Sequence, residues 1–401
     1  MNLVFVLPIY PYFSETFIIN EFIYLKKLKI NGLIIASSIS KAQQPMYQKI
    51  NWPILKIPPT TKSLSILISQ IKFFFHYPLN HLKALSWLIK HLSHKNLTTF
   101  LRITPIAHTL NQQSIDLIYG HYGQTAITCL LFSILTNKPF GITLHNQAVF
   151  ETTSHLEKVI EQSAFTILKS NFAKKQLISK YQLKHNLQKK LKVIRTSGVD
   201  LSKFSPQYPR KFSTFTIISV ARLVPTKGLS YLIKACHLLK QKNFAFKYLI
   251  IGQGPEKNNL QKLVSQLNLI NQVKFLSQIP HGKKLNQLIE KSHLFALPCL
   301  IIHNNKQRDI LPNAVQEAMA LKQVVITSKM DGITELIKDE KNGFLIPQKD
   351  SKALAKTIIR ISQLTKKQKQ VITTAARTTI KQKFNTNLTS QQLIHLFNQI
   401  S

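Results

Sequence analysis

The stretch FTIISV, residues 215–220, is a short run of mostly apolar and β-branched residues without a charge. Such a run is typical of a strand buried inside a parallel sheet. A polar loop follows, and residues 226–241 then repeat apolar side chains at helical spacing. The alternation continues, with further strands predicted at 247–251, 272–276, 293–297, 323–327 and 343–346. It predicts βαβ units and a doubly wound parallel sheet.

The first half of the chain has the same rhythm. Strands are predicted at 2–7, 33–38, 115–119, 140–144, 164–168 and 191–195, with helices such as 15–29 and 123–136 between them. The rhythm breaks over residues 199–213, and this stretch is interpreted as a linker. We therefore expect an α/β protein with two Rossmann-like domains, at 1–204 and 205–384, that face each other across a cleft. A final helix within 385–401 is expected to pack back on the first domain.

The chain is strongly basic. It has 54 Lys and Arg against 16 Asp and Glu, a formal net charge of +38. Such a field attracts phosphorylated substrates, anionic lipid or nucleic acid. Lys, Asn, Ile and Gln are abundant throughout, however, so compositional drift explains the charge equally well. Nucleic acid is not expected as a partner, because the basic residues are spread evenly and no module with aromatic platforms is visible.

Cysteine usage and hydropathy indicate a cytoplasmic protein. Cys129, Cys236 and Cys299 are scattered, so neither a disulfide framework nor a zinc site is expected. The apolar start at residues 1–8 lacks a basic leader and a cleavage site, and is interpreted as a first buried strand. No uncharged apolar run reaches the roughly 18 residues that a membrane-spanning helix needs.

Residues 62–102 form an apolar segment that has two interpretations. Apolar side chains recur at helical spacing, with Lys72, Lys83, Lys90 and Lys95 among them. The segment is either an amphipathic helix that lies on anionic lipid, or helices that pack on the core of the first domain. The core interpretation predicts that residues 73–75, three consecutive phenylalanines, are all buried.

The stretch RDILPNAVQEAMA, residues 308–320, combines a loop with the start of a helix predicted at 311–321. Pro312 is at a position where helices commonly begin. Asp309 lies in the loop before that start and Glu317 lies within the helix. The free NH groups at a helix start make a ready anion site.

This stretch resembles the E-x7-E element of glycosyltransferase family 4. The blocks SVARLVPTKG (219–228), IIGQGP (250–255), VKFL (273–276) and NGFL (342–345) resemble other motifs of that family in order and spacing. In the first half, SETFI (14–18), HYG (121–123) and GVD (198–200) resemble the branch that builds exopolysaccharides of the colanic-acid type. The resemblance implies the GT-B architecture, with an acceptor-binding first domain and a nucleotide-sugar-binding second domain.

The resemblance also implies the reaction: retaining transfer of a sugar from a nucleotide diphosphate donor to a glycan or lipid-linked acceptor, in surface polysaccharide synthesis. Arg222 and Lys227 are expected to stabilise the negative charge that develops on the diphosphate. Arg222 offers a planar guanidinium fork, and Lys227 offers a mobile point charge. Glu317 is expected to bind the ribose hydroxyls, and Asp309 and His145 to lie near the donor sugar. Gly252, Leu311, Pro312 and Asn313 complete the expected donor site. Ser14, Glu15, Thr16 and His121 are the residues expected on the acceptor side or in the N-terminal loop.

Three positions depart from the family pattern: Asp309 replaces a glutamate, Ile310 a glycine and Ala148 an aspartate. No D-x-D motif occurs, so we expect no metal and no cofactor, with Arg222 and Lys227 acting where a divalent cation acts elsewhere. Two rival functions remain: a nucleotide-sugar epimerase of the same fold, and a non-enzymatic basic protein that binds membranes or polyanions. The expected location is cytoplasmic, with peripheral association at the inner face of the plasma membrane.

Overall fold

The computed structural model describes residues 1–11, 16–40, 50–59, 63–145, 149, 155–196, 198–207, 212–302 and 309–400. The chain divides into two compact units. One comprises Met1–Ser197 and Thr389–Ser401, and the other comprises Gly198–Leu388.

The first unit is built on a seven-stranded sheet in the order β3-β2-β1-β4-β5-β6-β7, with parallel neighbours throughout. Its strands are β1 (Asn2–Tyr10), β2 (Asn31–Ile39), β3 (Ile54–Lys56), β4 (Leu117–His121), β5 (Phe140–Leu144), β6 (Phe165–Leu168) and β7 (Leu191–Val193). Its helices are α1 (Thr16–Lys27), α2 (Ser63–His76), α3 (Pro78–Lys90), α4 (His94–Asn111), α5 (Ala126–Thr136), α6 (Leu156–Gln162), α7 (Asn171–Tyr181) and α8 (His185–Gln188). Every residue of β4, β5 and β6 is buried, as near-continuous apolar strands of a parallel sheet should be.

The second unit has a six-stranded parallel sheet in the order β10-β9-β8-β11-β12-β13. Its strands are β8 (Phe215–Val220), β9 (Phe246–Ile251), β10 (Val273–Leu276), β11 (Leu294–Leu297), β12 (Val325–Ser328) and β13 (Phe344–Ile346). Its helices are α9 (Leu229–Gln241), α10 (Lys257–Gln266), α11 (Lys283–Lys291), α12 (Asn313–Ala320), α13 (Ser351–Gln363) and α14 (Lys366–Lys383). Helix α15 (Thr386–Asn398) then leads back into the first unit. Since the strand order reverses between β8 and β11, this sheet has the topological switch point of the Rossmann fold.

The predicted fold class, two doubly wound α/β domains, is confirmed. Among the strands of the described residues, only β3 was not predicted from the sequence patterns; it has three residues and lies at the edge of the first sheet. Pro53 precedes it, and Pro58 and Pro59 follow soon after. So short a run between prolines gives no periodicity to detect.

Residues near the division between the units belong to the core of the second unit. The division falls before Gly198, and Val199 and Phe204 are buried in that core. Val199 N also donates a hydrogen bond to Phe384 O at 2.6 Å. At the other end, Leu393 and Phe397 lie in a core cluster of the first unit. The stretch interpreted as a linker therefore contributes core residues to the second unit.

The core interpretation of residues 62–102 is only partly right. Phe73 is fully buried, and its ring lies 5.9 Å from that of His81 on α3. Phe74 is 39% exposed and Phe75 is 76% exposed, although that interpretation buries all three. Among the described residues, no helix is both long and apolar enough to cross a membrane.

Candidate functional site

Two loops lie together at the carboxyl ends of β8 and β9. Ala221 N donates to Ile251 O at 3.0 Å, and Leu223 N donates to Gln253 O at 2.8 Å. Gly252 has a φ of 144°, and a Cβ there would collide with the carbonyl oxygen of Ala221. The glycine predicted in the donor site is thus required by the close approach of the two loops. Ligands of open α/β sheets bind at this edge.

Lys227 ends a short 3-10 turn in the first of these loops and forms an ion pair with Asp309. The Lys227 Nζ to Asp309 Oδ2 distance is 2.7 Å, and the lysine side chain is 14% exposed. Burial pulls the pKa of Lys227 down, but the Asp309 carboxylate outweighs it and the pKa is raised. The lysine is therefore charged at neutral pH, and a second anion can reach it only by sharing or displacing Asp309.

Arg222 lies in the same loop and is exposed to solvent. Its charge acts to lower the pKa of Lys227, so the two cations are close enough to repel each other. Cys299, after β11, is also near Lys227, but burial raises the pKa of its thiol to about 12 and it stays neutral. The two predicted phosphate-binding cations are thus brought to the same edge of one sheet.

Glu317 lies one turn into α12, which begins at Asn313 after Pro312 in an extended conformation. Leu311 is half-buried just before this start. The Glu317 side chain is only 14% exposed, and its Oε1 lies 3.8 Å from His281 Nδ1. Burial raises the pKa of this carboxyl, while the His281 ring acts in the opposite direction. Among the described residues, the Glu317 carboxyl therefore has only the His281 ring as a basic neighbour within 4 Å, so its oxygens are available to hydroxyl donors.

Ile310, where the family pattern has glycine, is fully buried. Its Cγ2 occupies the space that any side chain at position 332 would need, and Gly332 has a φ of 84°. Gly332, from a different loop, thus lies beside Ile310. The departure at Ile310 is accommodated by Gly332.

In the first unit, His121 and His145 lie at the carboxyl ends of the neighbouring strands β4 and β5. His121 Nδ1 is 3.2 Å from His145 Nε2, and His121 Nε2 is 3.3 Å from Glu21 Oε1 on α1. All three side chains are buried. Both predicted histidines therefore belong to one buried chain of polar groups that ends on a carboxylate.

The protonation state of the His145 ring follows from its burial and its charged neighbours. Its pKa is well below the usual 6.5, first because of burial and then because of Lys169 and His121, so the ring is neutral at pH 7. His121 Nδ1 and His145 Nε2 lie within hydrogen-bond distance, so one of these two nitrogens donates to the other. His145 Nδ1 is buried without a hydrogen-bond partner among the described residues.

Sequence reasoning missed Glu21 and His281. Glu21 is the single acidic residue of α1, in the mostly apolar run FIINEFIYL, and a lone carboxyl on a buried helix face is a detectable signal. His281 lies in the loop before α11, and no motif marks it.

Part of the predicted site lies outside the described residues. Ser14 and Glu15 are outside them, as is Ala148, and Thr16 opens α1 without a described side chain. Within the described ranges, no group of three or more His, Cys, Asp or Glu residues is placed to hold a metal ion.

Known proteins resemble this chain in sequence, most clearly in its second unit. Residues 202–378 match the family model "Glycosyl transferases group 1". The chain is 34% identical over 200 residues to the putative colanic acid biosynthesis glycosyltransferase WcaL of Escherichia coli K12, which covers 50% of this chain and 49% of that protein. The chain thus spans about half the length of the curated relatives it matches.

Two solved structures are similar over the whole chain. A glycosyltransferase from Rickettsia africae superposes with a TM-score of 0.76 at 19% identity, covering 100% of this chain and 98% of the other. Anabaena Alr3699/HepE in complex with UDP superposes with a TM-score of 0.71 at 19% identity, covering all of both chains. These likenesses establish the GT-B fold, and with the sequence matches they confirm the resemblance drawn from the motifs. The second unit of this chain therefore contains the stretch that matches the glycosyl transferases group 1 model.

Proposed function

We propose that this protein is a retaining glycosyltransferase that moves a sugar from a nucleoside diphosphate donor to a glycan or lipid-linked acceptor in exopolysaccharide synthesis. The observation that carries the proposal is the Lys227–Asp309 ion pair with Arg222 beside it at the carboxyl edge of the second sheet, within the stretch that the family model matches. Glu317 lies in α12, in the same stretch. The colanic acid relative supports the exopolysaccharide assignment. The UDP complex of the Anabaena neighbour makes UDP the first nucleotide to test.

In the proposed reaction, the bond between the anomeric carbon and the diphosphate oxygen breaks, and the acceptor oxygen bonds to that carbon from the same face. The electron pair of the broken bond goes to the diphosphate, and a diphosphate oxygen takes the acceptor's proton. Arg222 and Lys227 stabilise the charge that develops there, as preorganised cations do in a shielded site. They also make a divalent cation unnecessary in this proposal, because they supply two positive charges at the leaving group.

Asp309 has a second role in this scheme. It pairs with Lys227 at 2.7 Å in the structure, and a bound diphosphate competes for the same ammonium group. A carboxylate one methylene shorter than glutamate keeps the lysine oriented until the donor arrives, and then becomes free to accept a hydroxyl of the donor sugar. Glu317 accepts the ribose hydroxyls from within α12.

In the first unit, His145 is proposed to bind a sugar hydroxyl. Its ring is neutral at pH 7, because burial lowers its pKa well below 6.5. Its Nδ1 has no hydrogen-bond partner among the described residues and can form one with that hydroxyl.

The test is nucleoside diphosphate binding followed by product analysis. A ligand at 100 times its Kd adds about 2.7 kcal/mol to stability, so a thermal shift panel identifies the nucleotide. The matching sugar nucleotide, labelled in the sugar, then separates the alternatives. A transferase releases the nucleoside diphosphate only as label enters the acceptor, whereas an epimerase converts the labelled donor without an acceptor. A polyanion binder shows steep salt dependence and no response to nucleotides.

A further inference from the structure

The first unit exposes an unusual amount of apolar surface on α2, α3 and the start of α4. Among the described residues, sixteen large apolar side chains are exposed, and eleven of them lie between Leu64 and Leu97. That segment is less than a tenth of the chain. Scattered exposed apolar residues are ordinary, but contiguous apolar surface marks a site of interaction.

The exposed side chains follow the helical repeat. On α2, Leu64, Leu67, Ile71 and Phe75 recur every three or four residues, and all are exposed. The opposite side of the same helix is also apolar, since Phe73 is fully buried. A helix that is apolar on both sides is usually covered on both sides. We call the outward-facing exposed side chains of residues 64–97 the apolar face.

The inner side of α2 is already covered. His81 Nε2 of α3 lies 3.1 Å from Gln70 Oε1, and the Phe73 ring lies 5.9 Å from the His81 ring. These contacts use the inner sides of α2 and α3 and leave the apolar face open. The packing of α2 and α3 against each other therefore does not use the apolar face.

The charged side chains of this segment are all positive. No Asp or Glu occurs anywhere from Phe22 to Ile115. Lys72, Lys83, Lys90 and Lys95 are all exposed among the apolar side chains. A long lysine side chain can lay its stem on apolar surface and hold its ammonium group at a polar boundary.

We infer that the apolar face docks this protein on an anionic lipid bilayer. The apolar side chains enter the boundary between headgroups and acyl chains, and the four lysines contact anionic headgroups. A second copy of the chain fits less well, because a symmetric contact would oppose like charges with no carboxylate to pair with them. This surface is distinct from the nucleotide edge of the second unit, so docking and sugar transfer are separable.

The experiment is flotation of the full chain with vesicles of phosphatidylcholine containing phosphatidylglycerol, against vesicles of phosphatidylcholine alone. We expect co-flotation with the anionic vesicles at low salt and weaker binding at high salt, because salt screens surface charge. Phe75→Ser should lower the partition constant roughly tenfold, since it removes one apolar side chain from the boundary. The double variant Lys83→Glu, Lys90→Glu should lower it by at least about twenty-five-fold, at roughly fivefold per lysine.

Matched controls lie in the second unit. Ile270 is 68% exposed and Lys262 is exposed, both away from the apolar face. Ile270→Ser and Lys262→Glu make the same chemical changes and should leave vesicle binding within about twofold, the spread expected for surface changes that touch nothing. Circular dichroism and the Tm of Phe75→Ser should match those of the unchanged protein, because that side chain is 76% exposed.

Three results would overturn the inference. The first is no binding to anionic vesicles at low salt, and the second is equal loss of binding in the controls. The third is concentration-dependent dimerisation that Phe75→Ser abolishes, without vesicle binding, which would assign the face to self-association. Vesicle binding needs no donor, so its failure leaves the transferase proposal untouched.

Discussion

Replacing Glu317 by glutamine should stabilise the protein and weaken nucleotide binding. The carboxyl is 14% exposed, burial raises its pKa, and the His281 ring lies 3.8 Å away. An ionised group held in this way costs stability, and the neutral amide of the same shape removes that cost. Because some exposure and His281 compensate, we expect a gain of about 1 kcal/mol at pH 7.5. For a unit of this size, that is a Tm increase of about 2–4 °C.

The gain should depend on pH with a defined sign. A carboxyl whose pKa is raised in the folded state contributes stability below its unfolded value of 4.5 and loses it as pH rises through the folded pKa. Near pH 4.5, protonated Glu317 and the glutamine variant should therefore unfold at nearly the same temperature. The difference should grow as pH rises and then level off once Glu317 is ionised.

Binding should change in the opposite direction. Hydrogen bonds that a carboxylate accepts from hydroxyls are each worth roughly 1.5–3 kcal/mol, so the variant should bind UDP about tenfold to a hundredfold more weakly. Differential scanning calorimetry over pH and titration calorimetry with UDP measure the two effects. Glu340→Gln, at an exposed ion pair with Arg360, is the control and should change neither. A variant that is less stable at pH 7.5, or that binds UDP normally, would refute the role of Glu317.

The remaining predictions concern the other charged groups and one core residue. Lys227→Ala should lower kcat at least about a hundredfold, as loss of one preorganised cation does, and an unchanged kcat would remove Lys227 from the mechanism. Glu21→Gln should lower kcat roughly tenfold with little change in KM for the donor, which is a smaller loss of kcat than removal of a direct substrate contact causes. Steady-state kinetics measure both constants, and a change in KM alone would contradict the role of Glu21 in positioning His145. Turnover should survive excess EDTA, and loss that Mg²⁺ or Mn²⁺ restores would reveal a metal site. Phe73→Ala should cost about 3–5 kcal/mol in a denaturant titration because it empties a buried position, and a loss below 1 kcal/mol would contradict that burial.

Periodicity predicted most of the fold because the strands that matter are buried on both faces. Residues 215–220 form β8 as expected, and 140–144 form β5. The pattern of residues 199–213 did not reveal their buried side chains, since a stretch without apolar periodicity can still bury individual residues such as Phe204. Hydrogen bonds from a distant partner, here Phe384, leave no local pattern.

The candidate site was predictable only as a set of motif positions. Lys227 and Asp309 are 82 residues apart, and nothing in either segment indicates that they pair. Glu21 likewise meets His121 through the packing of α1 on the sheet. The apolar face shows the same limit: helical spacing identified an apolar segment, but only the structure separates the buried Phe73 from the exposed Phe75.

The most direct test of the central claim follows label from donor to acceptor. UDP-sugars labelled in the sugar would be incubated with lipid-linked oligosaccharide acceptors, and the product linkage read by nuclear magnetic resonance. The account predicts release of UDP that matches the label entering the acceptor, with the anomeric configuration of the donor retained, and loss of both in Lys227→Ala. Inverted product would contradict the retaining mechanism. Failure of every nucleoside diphosphate sugar to donate, together with no stabilisation by any nucleoside diphosphate, would contradict the assignment as a transferase.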